Sequence, residues 1–319
     1  MNLTPDEIYE DLSKNKIKKN TAFDLIRSLV ENSEDESIRL SAIVNLEKIE
    51  LISDELFKFL ENLLISDSNE KIRNAATKIL KDRFLDKAIN PIKWALIHET
   101  DYECLVIIIQ SLERINNDES KLILVKKIKE IIKTKYLNKE KRIENKKYKK
   151  VIKKFTKTKQ IDKFTHSELA EILINYFTIK NLISKYSNVY YELDPQKGLI
   201  IELDLSDYLE YEVKGTPFGW KNNIQSLSEI LGLKYLKSLK KIDLSNNNID
   251  NIKELIQLKE LTHLILTNNN ISEIKNVDYI LSLKKLKYLD LRGNPLGEEM
   301  NPNYFDKNIK VILKDSLLY

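Results

Sequence analysis

Four residues of the 319-residue chain belong to the types that most often act as nucleophiles or bind transition metals. Cys104 lies in a continuous apolar run, which favours a buried helical cysteine over a nucleophile. His98, His166 and His263 have no metal-binding spacing such as H-x-x-x-H, and no cysteine cluster accompanies them. The sequence also contains no glycine-rich phosphate-binding motif and no G-x-S-x-G. We therefore predict that the protein is not an enzyme and has no cofactor or bound metal; the alternative, an enzyme, requires a deep pocket with converging titratable groups.

Positive charge is concentrated in one stretch of the sequence. Residues 126–163 contain 17 lysines and arginines against four acidic residues, a local charge of +13, whereas residues 1–125 have a charge of −7. Apolar residues recur within the stretch at near-helical spacing, which predicts a basic amphipathic helix. The lysines that could contact an anion or a nucleic acid are Lys146, Lys147, Lys149, Lys150, Lys153 and Lys154.

Three interpretations of this basic helix remain open. In the first, its lysines contact nucleic-acid phosphates without sequence preference, and Tyr136, Tyr148 and Phe155 stack on bases. In the second, the helix lies on a membrane surface, although its apolar face is narrow. In the third, it is a structural connector with solvated lysines. A nucleic-acid-binding adaptor that uses residues 139–163 is the alternative to the function predicted below.

An apolar pattern recurs within residues 236–296, and each copy contains an asparagine at the same position. The pattern L-x-x-L-x-L-x-x-N-x-L occurs there three times at similar intervals. Alternating apolar and polar residues predict a short strand in each copy, and the asparagine lies where the chain turns, so that its amide can bond backbone groups that the turn leaves unpaired. The repeated positions are Leu239, Ile242, Leu244, Asn247 and Ile249; Leu261, Leu264, Leu266, Asn269 and Ile271; and Leu286, Leu289, Leu291, Asn294 and Leu296.

This stretch resembles the leucine-rich repeat family, of the short class with about 22 residues per repeat. The resemblance implies a concave sheet whose outward-facing positions bind a protein partner; the alternative is a sheet face that is only solvated. Ile265 and Tyr288 would be apolar contacts among charged residues, as protein interfaces are built. The candidate partner-binding residues are Lys241, Asp243, Ser245, His263, Ile265, Thr267, Tyr288, Asp290 and Arg292.

Flanking segments are predicted to cap these repeats, because a single coil cannot bury its apolar face. Residues 189–205 predict a β-hairpin that acts as an irregular first coil without the turn asparagine. Residues 215–220 predict an inserted loop, residues 225–237 a helix, and residues 309–313 a closing strand.

Up to about residue 135, apolar residues at three- and four-residue spacing predict successive helices. A short pattern recurs with Ala42 and Ala76 at equivalent positions, and Ile108 follows more loosely after a similar interval. We expect the arginines that precede these alanines, Arg39 and Arg73, to reach acidic loops of neighbouring units. The region resembles a compact HEAT or armadillo-like array, and a plain helical bundle is the alternative.

Together the patterns predict an α plus α/β solenoid. Its predicted parts are HEAT-like helical-hairpin repeats at 1–135, basic and amphipathic connector helices at 136–187, and a leucine-rich repeat domain with a β-hairpin N-cap at 188–319. The predicted function is a non-enzymatic scaffold or adaptor for a protein partner, which family analogy alone suggests to be a regulatory GTPase, a phosphatase or an assembly factor. The lone cysteine, the absence of a long apolar run and an N-terminus unlike a secretory signal predict a cytoplasmic protein without a transmembrane segment.

Overall fold

The computed structural model describes residues 3–133, 141–158, 160–211, 217–220 and 222–314. The chain divides into two compact units. The first comprises Met1–Lys127 with Thr165–Ala170, and the second comprises Ile128–Phe164 with Glu171–Tyr319. Residues 136–187, predicted as a connector, therefore contribute to both units.

The N-terminal part of the chain is helical, as the sequence predicts. Several of its helix starts have side-chain caps that satisfy the first free N–H groups: Thr4 and Glu7 form a reciprocal capping box, and so do Thr165 and Glu168. Ten α-helices precede the first strand in the described residues. They are α1 (Pro5–Ser13), α2 (Lys19–Asn32), α3 (Glu36–Lys48), α4 (Asp54–Ser66), α5 (Glu70–Arg83), α6 (Ile89–His98), α7 (Tyr102–Ile115), α8 (Asp118–Lys133), α9 (Lys141–Lys157) and α10 (His166–Lys185).

Helices α3, α5 and α7 pack in succession in the first unit. Helix α5 packs against both α3 and α7, and α4 packs against α6. Ala42 in α3 and Ala76 in α5 are fully buried, and their small side chains allow the helices to approach closely. Ile108 occupies the matching place in α7 and is also fully buried. The recurrence seen in the sequence is therefore a recurrence of packing positions.

Two half-buried arginines connect these helices to acidic loops. Arg39 forms an ion pair with Asp67, which follows α4. Arg73 donates hydrogen bonds of 2.7 and 3.0 Å to the two carboxylate oxygens of Glu99, which follows α6. Both contacts agree with the expectation from the sequence. The series ends at α7, where Leu105, three residues before Ile108, occupies the position of the arginine.

Glu99, at the end of α6, has a strongly perturbed pKa. Its side chain is 4% exposed, and its Oε1 accepts hydrogen bonds from the backbone N–H groups of Thr100 and Asp101 at 2.8 and 2.9 Å. Burial by itself raises the pKa of Glu99, but the hydrogen bonds from Arg73 and the two backbone groups outweigh it and lower the pKa to about 2. Glu99 is therefore ionised in the folded unit at neutral pH.

We predict that Glu99→Gln removes part of the pH dependence of stability. A carboxylate whose folded pKa lies below its unfolded pKa stabilises the fold above the unfolded value and loses this contribution as the pH falls through the folded value. For Glu99 the window extends from about pH 4.5 down to about pH 2. Glu99 should contribute on the order of 3 kcal/mol to the stability that the wild type loses across this window, and Glu99→Gln should lack this contribution, measured as the urea unfolding free energy at each pH.

Glu31→Gln is the matched control, because Glu31 forms an exposed ion pair with Arg27 that contributes at most about 1 kcal/mol. Parallel pH profiles for the wild type and Glu99→Gln would contradict the prediction.

The second unit contains the strands. Eight strands lie in its described part: β1 (Tyr190–Leu193), β2 (Ile200–Asp204), β3 (Tyr208–Tyr211), β4 (Pro217–Trp220), β5 (Lys241–Asp243), β6 (His263–Ile265), β7 (Tyr288–Asp290) and β8 (Lys310–Ile312). Six of them form one sheet in the order β1-β2-β5-β6-β7-β8. β1 is antiparallel to β2, and the remaining neighbours are parallel. β3 and β4 form a separate antiparallel pair.

Short helical turns connect the strands of this sheet. Two α-helices lie after β6 and β7, namely α11 (Lys275–Leu281) and α12 (Pro295–Glu299). Helical turns of the tighter 3-10 type lie at Lys253–Gln257 and Pro302–Tyr304. The predicted hairpin and the closing strand are present as β1–β2 and β8. In the part of the chain that the structure describes, no helix is long and apolar enough to cross a membrane.

Two sequence predictions in the second unit are wrong. The helix predicted over 225–237 is instead two 3-10 turns, Leu227–Glu229 and Leu233–Tyr235, because Gly232 between them has a φ of +94°, which a continuous helix does not adopt. Within the predicted loop 215–220, residues 217–220 form β4 because β3 supplies an antiparallel partner, and 215–216 lie outside the described residues.

The core of the second unit lies beneath the centre of each strand. Ile242, Leu264 and Leu289 are in register on adjacent strands and are all fully buried. Leu203 on β2 and Val311 on β8 continue this row. Since side chains alternate along a strand, the residues on either side of this row face away from the core.

We call each strand of the six-stranded sheet, together with the connection that follows it, a coil. Asparagine side chains join successive coils where the chain leaves each strand. In Asn269, Oδ1 accepts from the N–H of Ile249 in the preceding coil at 3.0 Å. Its Nδ2 donates to the carbonyl of Leu244 in the preceding coil at 2.9 Å and to that of Leu266 in its own coil at 3.0 Å. Asn247 and Asn294 make the corresponding three bonds one coil earlier and one coil later.

The first coil has an asparagine that the sequence analysis missed. Nδ2 of Asn222 donates to the carbonyl of Leu205 at 2.9 Å, as Asn247 does to Leu244, and its Oδ1 accepts from the N–H of Asn188. Residues 208–221, which include β3 and β4, are inserted immediately before it. Without this insertion, the interval between Leu203 and Ile242 would equal that between Leu264 and Leu289.

We predict that Asn269→Ala destabilises the second unit by about 2–4 kcal/mol, because the buried N–H of Ile249 loses its acceptor. The measurement is the urea unfolding free energy. Asn270→Ala is the control, since Asn270 is the exposed neighbour and the same atoms are removed. Its expected change is within about 0.5 kcal/mol. Equal losses in the two variants would contradict a specific function of the buried amide.

Candidate functional site

The outward-facing residues of the six-stranded sheet form two continuous rows. Strand register brings together Glu202, Lys241, His263, Tyr288 and Lys310 in the first row. The second row contains Asp204, Asp243, Ile265, Asp290 and Ile312. The predicted residues Ser245, Thr267 and Arg292 follow these strands. We call this surface the sheet face.

Aromatic and charged groups are adjacent in the first row. The rings of His263 and Tyr288 stack with their centroids 5.8 Å apart and their planes 23° apart. Nζ of Lys310 lies 5.7 Å from the centroid of the Tyr288 ring, within cation–π range. At the other end of the row, Lys241 lies 3.6 Å from Glu202. The row thus changes from a charged pair to an aromatic platform.

The carboxylates of the second row differ in their surroundings. Asp243 is half-buried, and burial, reinforced by the nearby negative charge of Asp204, raises its pKa. Asp290 is 1% exposed, and Arg292 donates to both its oxygens at 3.0 and 2.7 Å. Burial alone would raise the pKa of Asp290, but the hydrogen bonds from Arg292 outweigh it and lower the pKa.

The structure therefore corrects one predicted binding residue. Asp290 is buried beneath Arg292, so that it holds the guanidinium in place instead of facing a partner. The Arg292 side chain is 36% exposed. The other predicted positions are accessible: His263 is exposed, and Lys241, Asp243, Ser245, Ile265, Thr267 and Tyr288 are half-buried.

The basic helix α9 is firmly packed within the second unit. Tyr148, Ile152 and Phe155 are fully buried. The Tyr148 hydroxyl lies 2.9 Å from the carbonyl oxygen of Gly198 and 3.1 Å from that of Ile172, so that it can donate to either, and burial raises its pKa well above the usual value. The prediction that Tyr148 and Phe155 stack on bases is wrong, because both rings belong to the core; Tyr136 lies outside the described residues.

The predicted lysines of α9 have different surroundings. Lys147 forms an ion pair with Glu192 of β1 and donates to the carbonyl of Tyr191 at 3.1 Å. Lys149 is half-buried, and the side chain of Lys146 lies outside the described residues. The exposed lysines are Lys150, Lys153, Lys154 and Lys157. Lys157 was missed from sequence, although it lies two helical turns beyond Lys150 and therefore on the same helical face.

Gly198 allows α9 to approach the turn between β1 and β2. Its φ is +70°, and a Cβ added there would lie 2.9 Å from Cε2 of Phe155 and 3.6 Å from Cγ1 of Val151. Glycine is required on both counts, because the left-handed backbone is strained for other residues and a side chain would displace the phenyl ring.

We predict that Gly198→Ala destabilises the second unit by about 1–3 kcal/mol and loosens α9. Urea unfolding and amide hydrogen exchange of α9 are the measurements. Lys197→Ala, at the exposed preceding residue of the turn, is the control and should leave both unchanged. If amide hydrogen exchange of α9 is unaltered in Gly198→Ala, the close approach of α9 to the turn is not needed to hold the helix in place.

The cysteine and the histidines are buried, stacked on aromatic rings or hydrogen-bonded. Cys104 is fully buried in α7, and burial raises the pKa of its thiol to about 12. His98 stacks on Trp94 with ring centroids 4.3 Å apart, and His166 Nε2 lies 2.8 Å from the carbonyl oxygen of Asn117. Within the described ranges, no group of three or more histidine, cysteine, aspartate or glutamate side chains could hold a metal ion.

A cleft of about 490 Å³ lies between α2 and α4 in the first unit. Its lining includes Arg27, Glu31, Arg39 and Asp67. These groups pair with one another, Arg27 with Glu31 at 2.8 Å and Arg39 with Asp67. Their charges are thereby compensated within the wall of the cleft.

Comparison with known proteins does not assign the chain to a family: no protein-family model matches it, and no curated protein matches it.

Proposed function

We propose that the protein is a non-enzymatic scaffold or adaptor whose second unit binds a protein partner through the sheet face. The observation that supports this most is the His263–Tyr288 stack beside half-buried Ile265, with Arg292 and Lys310 around it. Aromatic and arginine side chains with an apolar neighbour are enriched where protein interfaces gain most of their binding energy.

The second unit is proposed to be a leucine-rich repeat domain of the short class. Parallel strands that recur at similar intervals support this, as do the asparagines that bond successive coils. Asn222 adds support, because it extends the asparagine series to the coil that contains the insertion. In this proposal the β1–β2 hairpin is the N-terminal cap and β8 belongs to the C-terminal cap.

The first unit is proposed to be a compact HEAT-like array. The equivalent burial of Ala42 and Ala76 and the equivalent ion pairs of Arg39 and Arg73 support a repeated helical hairpin. Arrays of both kinds present extended surfaces to other proteins, and by this analogy the partner is a regulatory GTPase, a phosphatase or an assembly factor in the cytoplasm.

The sheet face favours a partner segment with a central apolar anchor. Ile265 and the His263–Tyr288 pair offer a small apolar area, and the polar groups around it can fix the orientation of the bound segment. Because Asp290 already holds Arg292, the guanidinium is presented to the partner in one orientation. Such preorganisation reduces the entropy that binding costs.

The double variant Tyr288→Ala/Ile265→Asp tests this proposal. It removes the aromatic platform and places a carboxylate in register between Asp243 and Asp290. A partner recovered by affinity capture from the native cell should be recovered at least tenfold less. With the purified partner, the dissociation constant should rise at least tenfold, a loss of about 1.4 kcal/mol.

The matched control is Tyr304→Ala/Ile274→Asp, which makes the same two chemical changes at side chains that are 63% and 67% exposed outside the sheet. Both double variants are first shown to have wild-type circular dichroism and unfolding midpoints. Partner recovery that is unchanged in the sheet-face variant, or equally reduced in both variants, would rule out the sheet face as the binding surface.

A further inference from the structure

One face of α9 is formed by four exposed lysines. Lys150, Lys153, Lys154 and Lys157 are all exposed and are spaced i, i+3, i+4 and i+7, so that they lie on one side of the helix. Among the described carboxylates, none forms an ion pair with any of the four, in contrast to Lys147, which binds Glu192. We call these four residues the lysine stripe.

The lysine stripe is held on a fixed helix. The opposite face of α9 is anchored by fully buried Tyr148, Ile152 and Phe155, and the Phe155 ring packs against Phe164 with centroids 5.4 Å apart. The four charges are therefore presented at defined spacing, and an anionic ligand does not need to order the backbone beneath them. Only the lysine side chains lose freedom on binding.

The chemistry of the stripe selects among anionic ligands. A membrane-bound helix inserts apolar side chains into the lipid. In α9, Ile152 and Phe155 are instead fully buried in the protein core. A single-stranded nucleic acid gains affinity by stacking on aromatic rings, and Tyr148 and Phe155 are fully buried. A protein interface needs an apolar or aromatic anchor, whereas this stripe consists of lysine. The stripe is therefore best matched by a ligand with closely spaced negative charges.

We propose that the lysine stripe binds the phosphate backbone of double-stranded nucleic acid without sequence preference. The two helical turns from Lys150 to Lys157 span about 10 Å, and a duplex presents about six phosphates over that length. Each of the four lysines can therefore meet a phosphate. The lysine stripe shares no residue with the sheet face, so the two surfaces can be tested with separate variants.

Fluorescence anisotropy of the full chain with a labelled duplex of about 20 base pairs, measured between about 50 and 200 mM salt, tests the proposal. The slope of log affinity against log salt should be about −3 to −4, because each neutralised phosphate contributes about −0.9. In Lys150→Gln/Lys154→Gln the slope should become less negative by about 2, and the affinity at the lowest salt concentration should fall at least tenfold. Duplexes of different sequence should bind equally.

The control is Lys253→Gln/Lys259→Gln, which removes the same charge at exposed lysines of the second unit outside α9 and should change the affinity less than twofold. Four results would overturn the proposal: no duplex binding at the lowest salt concentration, a flat response to salt, an equal loss in the control, or tighter binding to a single strand of the same length. Tighter binding to vesicles of phosphatidylserine mixed with phosphatidylcholine would overturn it as well.

Discussion

The stability of the second unit depends on asparagine side chains that form hydrogen bonds with the backbone groups of its turns. Where the chain leaves each strand, N–H and carbonyl groups are buried without a regular partner, and each group left unpaired costs about 1–3 kcal/mol. Asn222, Asn247, Asn269 and Asn294 pair these groups, and the last three each bond two coils at once. Each coil is therefore stabilised by its neighbour.

This constraint also determines what lies on the sheet face. Because the asparagines fix one coil against the next, Ile242, Leu264 and Leu289 stay in register, and the flanking residues must form rows. His263 meets Tyr288 for that reason. A shift of one residue would exchange the buried and outward faces of a strand, which the loss of core burial prevents.

Sequence alone predicted the strands β5, β6 and β7 and the asparagines that follow them, because each signal lies within a few residues. It missed Asn222, since residues 208–221 separate this asparagine from the strand that precedes it. A signal was present: Ser206-Asp207 before the insertion and Asn222-Asn223-Ile224 after it together match Ser245-Asn246-Asn247-Asn248-Ile249. The burial of Asp290 was missed for another reason, because an outward position becomes inaccessible when a neighbouring arginine covers it.

In helix α9, the density of positive charge along the sequence did not distinguish lysines that stabilise the fold from lysines that are available to a ligand. The sequence predicted the helix and its basic character, but not which lysines were engaged, because Glu192 is distant from Lys147 along the chain. Lys147 donates to the carbonyl of Tyr191 on β1, the strand at one end of the sheet order, where an exposed edge could otherwise pair with another chain. Within the described ranges, no strand contact of this kind involves the lysine stripe. One helix therefore protects a sheet edge with one lysine and presents four others to solvent, so a structural function of α9 and a binding function are compatible.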